Sequence, residues 1–235
     1  MDALILAGGA GTRLASIVGD RAKPVAEVAG RPFLAHVLAQ LERCAAIERV
    51  TLCVGHRAES VERALGERFG RLPLRYSREE KPLGTGGAIR RALGSDRVRS
   101  ASLAMNGDSF LGIRIERLLA HHRAARPWLT VALARVDDGS RFGAAQLAGD
   151  RVVGFREKGL AGPAWINAGI YVLSGEAKRA LREAPRRFSF ERDALAPWCA
   201  EGRVRGMKSR ARFIDIGTPE DYARAASVLA RGRAC

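Results

Sequence analysis

Short apolar runs alternate with amphipathic stretches along the first half of the chain. The runs have the length of buried strands, and the stretches between them have helical spacing. Phe33, Val37, Leu38 and Leu41, for example, follow the i, i+4, i+5, i+8 spacing of one buried helix face. The strands predicted in this half are residues 3–6, 49–54, 74–76, 101–105 and 129–136. This alternation predicts an α/β fold with a mostly parallel sheet covered on both faces.

The pattern changes after about residue 136. Apolar runs at residues 152–155 and 168–173 follow each other with little helical pattern between them, which predicts a small antiparallel insertion. A last helix is predicted from Pro219 to about Leu229, with Thr218 as its N-cap. The predicted fold class is therefore a Rossmann-like three-layer sandwich with a mostly parallel mixed sheet.

Length and composition restrict the class of protein. The chain has 235 residues, of which 47% are hydrophobic and 28% charged, as in a globular domain. It has neither an apolar run near the ~20 residues of a membrane helix nor a signal-peptide pattern. The four cysteines, at positions 44, 53, 199 and 235, have no Cys-x-x-Cys spacing. We expect one cytoplasmic domain without membrane contact, disulfides or zinc.

The net charge of +15 raises the question of nucleic-acid binding. Only five of the 40 basic residues are lysine, so the excess of arginine indicates the coding bias of a GC-rich genome. The basic residues are dispersed, and only 6% of all residues are aromatic. We therefore predict a small anionic substrate and no nucleic-acid partner.

Three glycines, Gly8, Gly9 and Gly11, directly follow the first predicted strand, and Arg13 and Lys23 come soon after. Glycine lets backbone N–H groups approach an anion closely, so this segment is suited to wrapping a polyphosphate. A tight strand-to-helix turn is the alternative interpretation. A dinucleotide fingerprint fails because position 14 is leucine, and no P-loop Gly-Lys-Ser/Thr is present.

A second glycine-rich segment, residues 79–88, follows the third strand and leads into a helix. A helix N-terminus attracts anions, and a nucleotide base could also lie flat on this segment. Gly84–Gly87 could equally be an ordinary loop at the start of a helix.

Two aspartates stand at predicted strand ends, Asp108 in Asn106-Gly-Asp108 and Asp215 in Ile-Asp-Ile-Gly. Each alone could be a turn or cap residue. Mg²⁺ typically uses one or two carboxylates together with substrate phosphates, so the two aspartates together with a polyphosphate loop predict a magnesium site.

Three other short segments of the sequence carry polar residues that could bind a substrate. Phe155-Arg-Glu-Lys158 could be a solvated strand edge or could place Lys158 on a second phosphate. Asn167-Ala-Gly169 offers an amide and close backbone to a polyol. His121-His122 lacks a ligand-spaced partner, which predicts the solvated end of a helix.

The motifs described above, taken in their order along the chain, resemble those of the sugar-phosphate nucleotidyltransferases. These enzymes join a nucleoside triphosphate and a sugar 1-phosphate into a nucleotide sugar and pyrophosphate. The resemblance covers essentially the whole chain. It rests on residues 6–14 with Lys23-Pro24, 82–88, 106–108, 155–158, 167–169 and 215–217. The length and the block Phe188-Ser-Phe-Glu-Arg-Asp193 look most like the D-glycero-α-D-manno-heptose 1-phosphate guanylyltransferases of bacterial surface-polysaccharide pathways.

The resemblance implies a single nucleotidyltransferase domain over residues 1–235, with a nucleotide-binding part at about 1–110 and a sugar-phosphate-binding part at about 111–235. The implied catalytic residues are Arg13, Lys23 and Lys158. The implied nucleotide-binding residues are Leu6, Gly8, Gly9, Gly11, Thr12, Glu80 and Gly84. The implied sugar-phosphate-binding residues are Asn106, Gly143, Glu157, Lys158 and Asn167. Asp108 and Asp215 would bind Mg²⁺.

The implied reaction transfers a nucleotidyl group, with GTP preferred, to D-glycero-α-D-manno-heptose 1-phosphate, by a monomer or homodimer. Mannose 1-phosphate and N-acetylmuramic acid 1-phosphate are alternative substrates, the second with UTP. A GT-A-type glycosyltransferase would usually have Asp-x-Asp where Asp108-Ser109-Phe110 stands. A non-catalytic nucleotide-sugar sensor would lack Lys23 or Lys158.

Overall fold

A computed structural model describes residues 1–9, 11, 14, 19, 21–94, 101–156, 159 and 161–230. Its strands are β1 (Asp2–Leu6), β2 (Glu27–Val28), β3 (Arg31–Pro32), β4 (Arg49–Val54), β5 (Arg68–Phe69), β6 (Leu72–Arg78), β7 (Ser102–Asn106), β8 (Ser109–Leu111), β9 (Leu129–Val136), β10 (Ala145–Ala148), β11 (Arg151–Phe155), β12 (Ala164–Leu173), β13 (Val204–Ser209) and β14 (Phe213–Asp215). Its α-helices are α1 (Phe33–Glu42), α2 (Ala58–Leu65), α3 (Gly84–Leu93), α4 (Ile115–Ala125), α5 (Gly175–Glu183), α6 (Ala196–Ala200) and α7 (Pro219–Ala230). A 3₁₀ turn covers Lys23–Val25, and a π-helical turn, Glu191–Leu195, leads directly into α6.

One mixed sheet runs through the described chain, in the order β10-β11-β13-β9-β12-β7-β1-β4-β6-β5. Four adjacent strands run parallel to one another, in the order β7-β1-β4-β6. Strand β12 is antiparallel to both of its neighbours, β7 and β9. The chain moves outward from β1 through β4 to β6 and then returns to the other side of β1 as β7. The strand order therefore reverses between β1 and β7.

Successive side chains of the sheet strands enter two separate apolar cores. In β1, Ala3 and Ile5 join the core under α1, α4 and α7, while Leu4 joins the core under α3, α5 and α6. Strand β12 alternates in the same way at Ile170 and Tyr171. Alternation of buried residues on both faces is the mark of a sheet covered on both sides. The predicted three-layer α/β sandwich is confirmed.

The small antiparallel insertion is also present, but it continues the main sheet. Strands β10 and β11 form an antiparallel pair, and β11 joins the sheet through β13. Strand β13 has no clear apolar pattern, because two cations and a glycine interrupt its Val-Arg-Gly-Met-Lys-Ser sequence, and it was therefore not among the predicted strands. The predicted cap of α7 is confirmed, since Thr218 Oγ1 accepts a hydrogen bond from the Asp221 N–H at 3.3 Å.

The prediction of a solvated His121-His122 pair is wrong for His122. Its side chain is buried, and its Nδ1 lies 2.9 Å from Thr130 Oγ1. Burial lowers the pKa of His122 to about 4, so the ring is neutral at physiological pH. Cys44, Cys53 and Cys199 are buried free thiols. No helix in the described ranges combines the length and apolar composition needed to cross a bilayer.

Gly86 gives a test of how α3 packs. A Cβ at this position would lie 2.2 Å from the Phe188 ring. We expect Gly86→Ala to lower the free energy of unfolding in urea by about 1–3 kcal/mol, because the buried ring must shift. In the Phe188→Ala background the same substitution should cost less. Gly154→Ala, which meets only the flexible end of Gln146 at 3.1 Å, is the control. Equal stability of the Gly86→Ala and parent proteins would contradict this packing.

Candidate active site

The predicted functional residues collect at the carboxyl ends of β1 and β7. Leu6 and Asn106 are register partners at the ends of these two parallel strands, and the Gly107 N–H donates to the Leu6 carbonyl at 2.8 Å. In open α/β sheets, ligands bind outside the carboxyl ends of the strands where the strand order reverses. The fold therefore places Leu6, Asn106 and the following Asp108 at such a crevice.

Two of the three glycines after β1 are explained by steric or backbone constraints. A Cβ on Gly8 would lie 2.9 Å from the Gly55 nitrogen at the end of β4, so glycine permits this close approach of two chain segments. Gly11 has φ +60°, and its Cβ position lies 3.0 Å from Lys23 Cβ. A Cβ on Gly9 would meet nothing within 4 Å. Thr12 and Arg13 lie outside the described residues.

Lys23 is held at the crevice from both ends. Its main chain forms the 3₁₀ turn, which is anchored because the preceding Ala22 N–H donates to Ser60 Oγ of α2 at 2.9 Å. Its side chain is largely buried, and Nζ lies 2.5 Å from Asp108 Oδ2. Gly11 therefore contacts Lys23, and Lys23 in turn contacts Asp108.

Asp215 reaches the same place through a two-stranded ladder. Strands β8 and β14 pair antiparallel, with Asp215 opposite Ser109, and the Ile216 N–H donates to the Asp108 carbonyl at 2.9 Å. Asp215 Oδ1 accepts from the Gly217 N–H at 2.7 Å. Although far apart in sequence, the two aspartates are therefore brought next to each other.

The electrostatics confirm that these charges interact. Burial raises the pKa of Asp215, and repulsion from Asp108 raises it further. Attraction to Lys23 and the Gly217 N–H act in the opposite direction. Gly11, Lys23, Asp108 and Asp215 thus form one cluster of two carboxylates and one ammonium.

The second glycine-rich segment has a packing reason for its glycines. Gly84 has φ +74°, and its Cβ position lies 2.5 Å from the Phe188 carbonyl oxygen. The Gly86 N–H donates to that same oxygen at 3.1 Å. The start of α3 is therefore covered by the segment around Phe188. Glu79, rather than Glu80, supports the turn by accepting from the Leu83 N–H at 2.9 Å, while Glu80 is exposed.

The predicted sugar-phosphate residues extend the crevice toward β12. The Asn106 side chain lies against Gly169, whose Cβ position is 2.5 Å from Asn106 Nδ2. Asn167 Nδ2 donates to the Tyr171 hydroxyl at 2.7 Å, and its Oδ1 accepts from the Gly169 N–H at 2.9 Å. The amide of Asn167 is therefore fixed in orientation.

Gly143 lies beside the end of β11. A Cβ there would be 3.1 Å from the carbonyl oxygen of Arg156, the residue before Glu157. Glu157 and Lys158 themselves lie outside the described residues. The predictions for both of them, and for Arg13 and Thr12, therefore stay predictions.

Several residues at the site were missed by sequence reasoning. Gly55 packs against Gly8, Glu79 accepts from the Leu83 N–H, and Tyr171 accepts from Asn167. Of these three residues, Gly55 alone has a sequence signal, which is a glycine at a strand end. Arg141 carries no local signal, but its Nη2 lies 2.5 Å from Asp221 Oδ2 at the start of α7.

Comparison with known proteins identifies the family. Residues 2–232 match the model of the family described as nucleotidyl transferase. The chain is 34% identical, over 97% of its length and 98% of the relative's, to D-glycero-alpha-D-manno-heptose 1-phosphate guanylyltransferase of Aneurinibacillus thermoaerophilus. It is 36% identical to mannose-1-phosphate guanylyltransferase of Mycobacterium tuberculosis, over 99% of this chain and 65% of that one.

The fold is similar to the crystal structure of HddC from Yersinia pseudotuberculosis, with a TM-score of 0.84 and 33% identity over 96% of this chain and 98% of that one. HddC has also been solved in complex with GMP-PN, with the same score and coverage. Both the sequence match and the structural match span the crevice and the sheet around it. The chain therefore belongs to the nucleotidyl transferase family.

Proposed function

We propose that this protein transfers GMP from GTP to D-glycero-α-D-manno-heptose 1-phosphate, giving GDP-heptose and pyrophosphate in the cytoplasm for surface-polysaccharide synthesis. The observation that carries the proposal is the cluster of Gly11, Lys23, Asp108 and Asp215 at the reversal point of the sheet. A polyphosphate needs this combination of close backbone, a held cation and a divalent ion.

The similarity to named enzymes supports the choice of substrates. Both curated relatives described above are named guanylyltransferases, although one name gives a heptose and the other a mannose 1-phosphate. The complex of HddC contains GMP-PN, a guanine nucleotide. The names of both relatives and the GMP-PN complex therefore support GTP as the nucleotide. The heptose is supported by the name of the first relative.

The chemistry needs no general base. A phosphate monoester has a second pKa near 6, so the attacking oxygen of the sugar phosphate is mostly ionised at neutral pH. That oxygen attacks the α-phosphorus of GTP and forms a new P–O bond. The bond between the α-phosphorus and the oxygen that bridges it to the β-phosphorus breaks, and pyrophosphate leaves with the electron pair. The barrier is then set by bringing two polyanions together and by stabilising the leaving pyrophosphate.

The basic residues of the site meet these two requirements. Lys23, held by Ala22 and Ser60, would bind the outer phosphates of GTP together with Arg13. Lys158, which lies outside the described residues, would bind and orient the sugar phosphate. Because Lys23 is largely buried, its charge is less screened by solvent than that of a surface lysine.

Asp108 and Asp215 fit a magnesium ion. The β8–β14 pairing brings the two aspartates together, and burial and repulsion from Asp108 raise the pKa of Asp215. A divalent cation would stabilise two carboxylates in such a place. The described residues contain no cluster of three or more His, Cys, Asp or Glu that could hold a metal. Mg²⁺ bound by the two aspartates and by substrate phosphates would neutralise charge on the triphosphate.

A substrate panel tests the proposed reaction. Four nucleoside triphosphates are each combined with heptose 1-phosphate, mannose 1-phosphate or N-acetylmuramic acid 1-phosphate, and pyrophosphate release is measured. We expect the highest kcat/KM for GTP with the heptose. A higher kcat/KM for GTP with mannose 1-phosphate would show that the proposed sugar is wrong and the proposed nucleotide is right. Sugar transfer from a nucleotide sugar, without pyrophosphate release, would instead identify a glycosyltransferase.

Lys23→Ala tests the phosphate-binding cation. The substitution removes a buried, positioned charge, so kcat should fall by on the order of 10²-fold or more, the scale for losing one oriented donor. Lys208→Ala, at an exposed position on β13, is the matched control and should keep the parent rate. Near-parental turnover of Lys23→Ala would remove the assigned role.

Asp215→Asn separates stability from activity. Because the folded-state pKa of Asp215 is raised, ionised Asp215 costs the folded state stability once the pH rises through its ordinary range, and this cost persists at neutral pH. Without divalent ions, Asp215→Asn should raise Tm at pH 7.5, with a smaller gain below about pH 4, and it should abolish transfer. Asp150→Asn, at a half-exposed site, should give no such gain. A lower Tm for Asp215→Asn at pH 7.5 would contradict this assignment.

A further inference from the structure

The loop of residues 137–144, here called the bridging loop, is tied on one side to the segment that follows β11. The Gly139 N–H donates to the Gly162 carbonyl at 2.9 Å, and the Gly159 N–H donates to the Ser140 carbonyl at 2.7 Å. The segment between β11 and Gly162 contains the predicted sugar-phosphate lysine. The bridging loop is therefore linked through backbone hydrogen bonds to Gly159, the residue after Lys158 in the sequence, and to Gly162.

On its other side the bridging loop contacts the elements around Asp215. Arg141 Nη2 lies 2.5 Å from Asp221 Oδ2 in the first turn of α7. The Phe142 ring packs edge-on against Phe213, with 5.8 Å between centroids and 76° between planes. Phe213 opens the strand that ends at Asp215. The bridging loop therefore joins the sugar-phosphate side of the crevice to its aspartate side.

The two side chains of the Arg141–Asp221 ion pair differ in their exposure to solvent. The Asp221 side chain is only 8% exposed, whereas that of Arg141 is 46% exposed. Asp221 also accepts from the Thr218 hydroxyl at 3.1 Å and lies 3.9 Å from Arg224 of its own helix. Arg141 is thus the close charged partner of a buried carboxylate, and it comes from a different part of the fold. Losing such a partner leaves a buried charge poorly compensated.

We propose that Arg141 is a positioning residue, which acts through its ion pair with Asp221 to hold the bridging loop, including Gly143, in register with the Asp215 end of the crevice. This inference rests on the proposed function, because it assigns Gly143 and its neighbours to the sugar phosphate. Fixing both sides of the crevice sets where the attacking oxygen meets the nucleotide. A misplacement of about 1 Å at such a site can cost on the order of 10²-fold in rate.

Steady-state kinetics of Arg141→Gln test the positioning role. We expect KM for the sugar 1-phosphate to rise at least about tenfold, with KM for GTP changed less than about twofold. A purely structural defect would lower the active fraction, and so kcat, without separating the two KM values. Arg141→Lys, which keeps the charge but loses the planar fork, should give an intermediate KM for the sugar phosphate.

Arg224→Gln is the matched control. It removes the same charge and also affects a partner of Asp221, but that partner lies on α7 itself and pairs with Asp221 within the helix. It should leave both KM values unchanged. Equal effects of Arg141→Gln and Arg224→Gln, or equal rises of both KM values in Arg141→Gln, would overturn the proposal.

Hydrogen exchange of the full chain without substrates gives a readout that does not depend on the reaction. The Phe142 amide donates within the bridging loop, and the amides of Gly139 and Gly159 donate across the contact between this loop and the residues after β11. Arg141→Gln should speed their exchange at least about tenfold, and Arg224→Gln should not. Unchanged exchange in Arg141→Gln would overturn the proposal even if the parent enzyme is active. Absence of transfer by the parent would instead count against the proposed function.

Discussion

The ion pair between Lys23 and Asp108 is the interaction on which the crevice depends. The fold holds two carboxylates, Asp108 and Asp215, against each other in a place that is partly removed from water. Such a pair is unfavourable because of both desolvation and repulsion, and the same two effects raise the pKa of Asp215. Lys23 offsets part of this unfavourable energy. The site therefore contains an internal cation that partly compensates the two carboxylates.

The topology explains how residues so distant in sequence come together. Asp108 follows the strand that returns to the other side of β1, so the sheet itself places it beside the glycine loop. Asp215 arrives through the short β8–β14 ladder, which is separate from the main sheet. Lys23 is brought in by a 3₁₀ turn anchored on α2. Three independent elements thus converge, and each is fixed by its own backbone hydrogen bonds.

Sequence reasoning predicted the parts of this arrangement that have a local signal. Apolar runs predicted β1, β4 and β9, and the strand-end aspartates predicted two carboxylates that the fold brings together, because both patterns are local. Glycine patterns were less specific. The glycines of α3 looked like an anion site, yet the approach of Phe188 also explains them, and the sequence contains no local record of that contact. His122 was misjudged for the same reason, since its partner Thr130 lies on another element.

The dispersed arginines and the few held cations have different physical roles in an enzyme that joins two polyanions. A net charge of +15 attracts both substrates over a distance of about a Debye length, but exposed charges are screened and do not fix orientation. Orientation requires cations whose positions are set by burial and by neighbours, as Lys23 is by Asp108. Arg141 illustrates an intermediate case, because one edge of its guanidinium is fixed by a buried carboxylate while nearly half of the side chain is exposed. The dispersed exposed cations therefore act on the approach of anions, whereas a small number of paired side chains fixes the orientation of a bound anion.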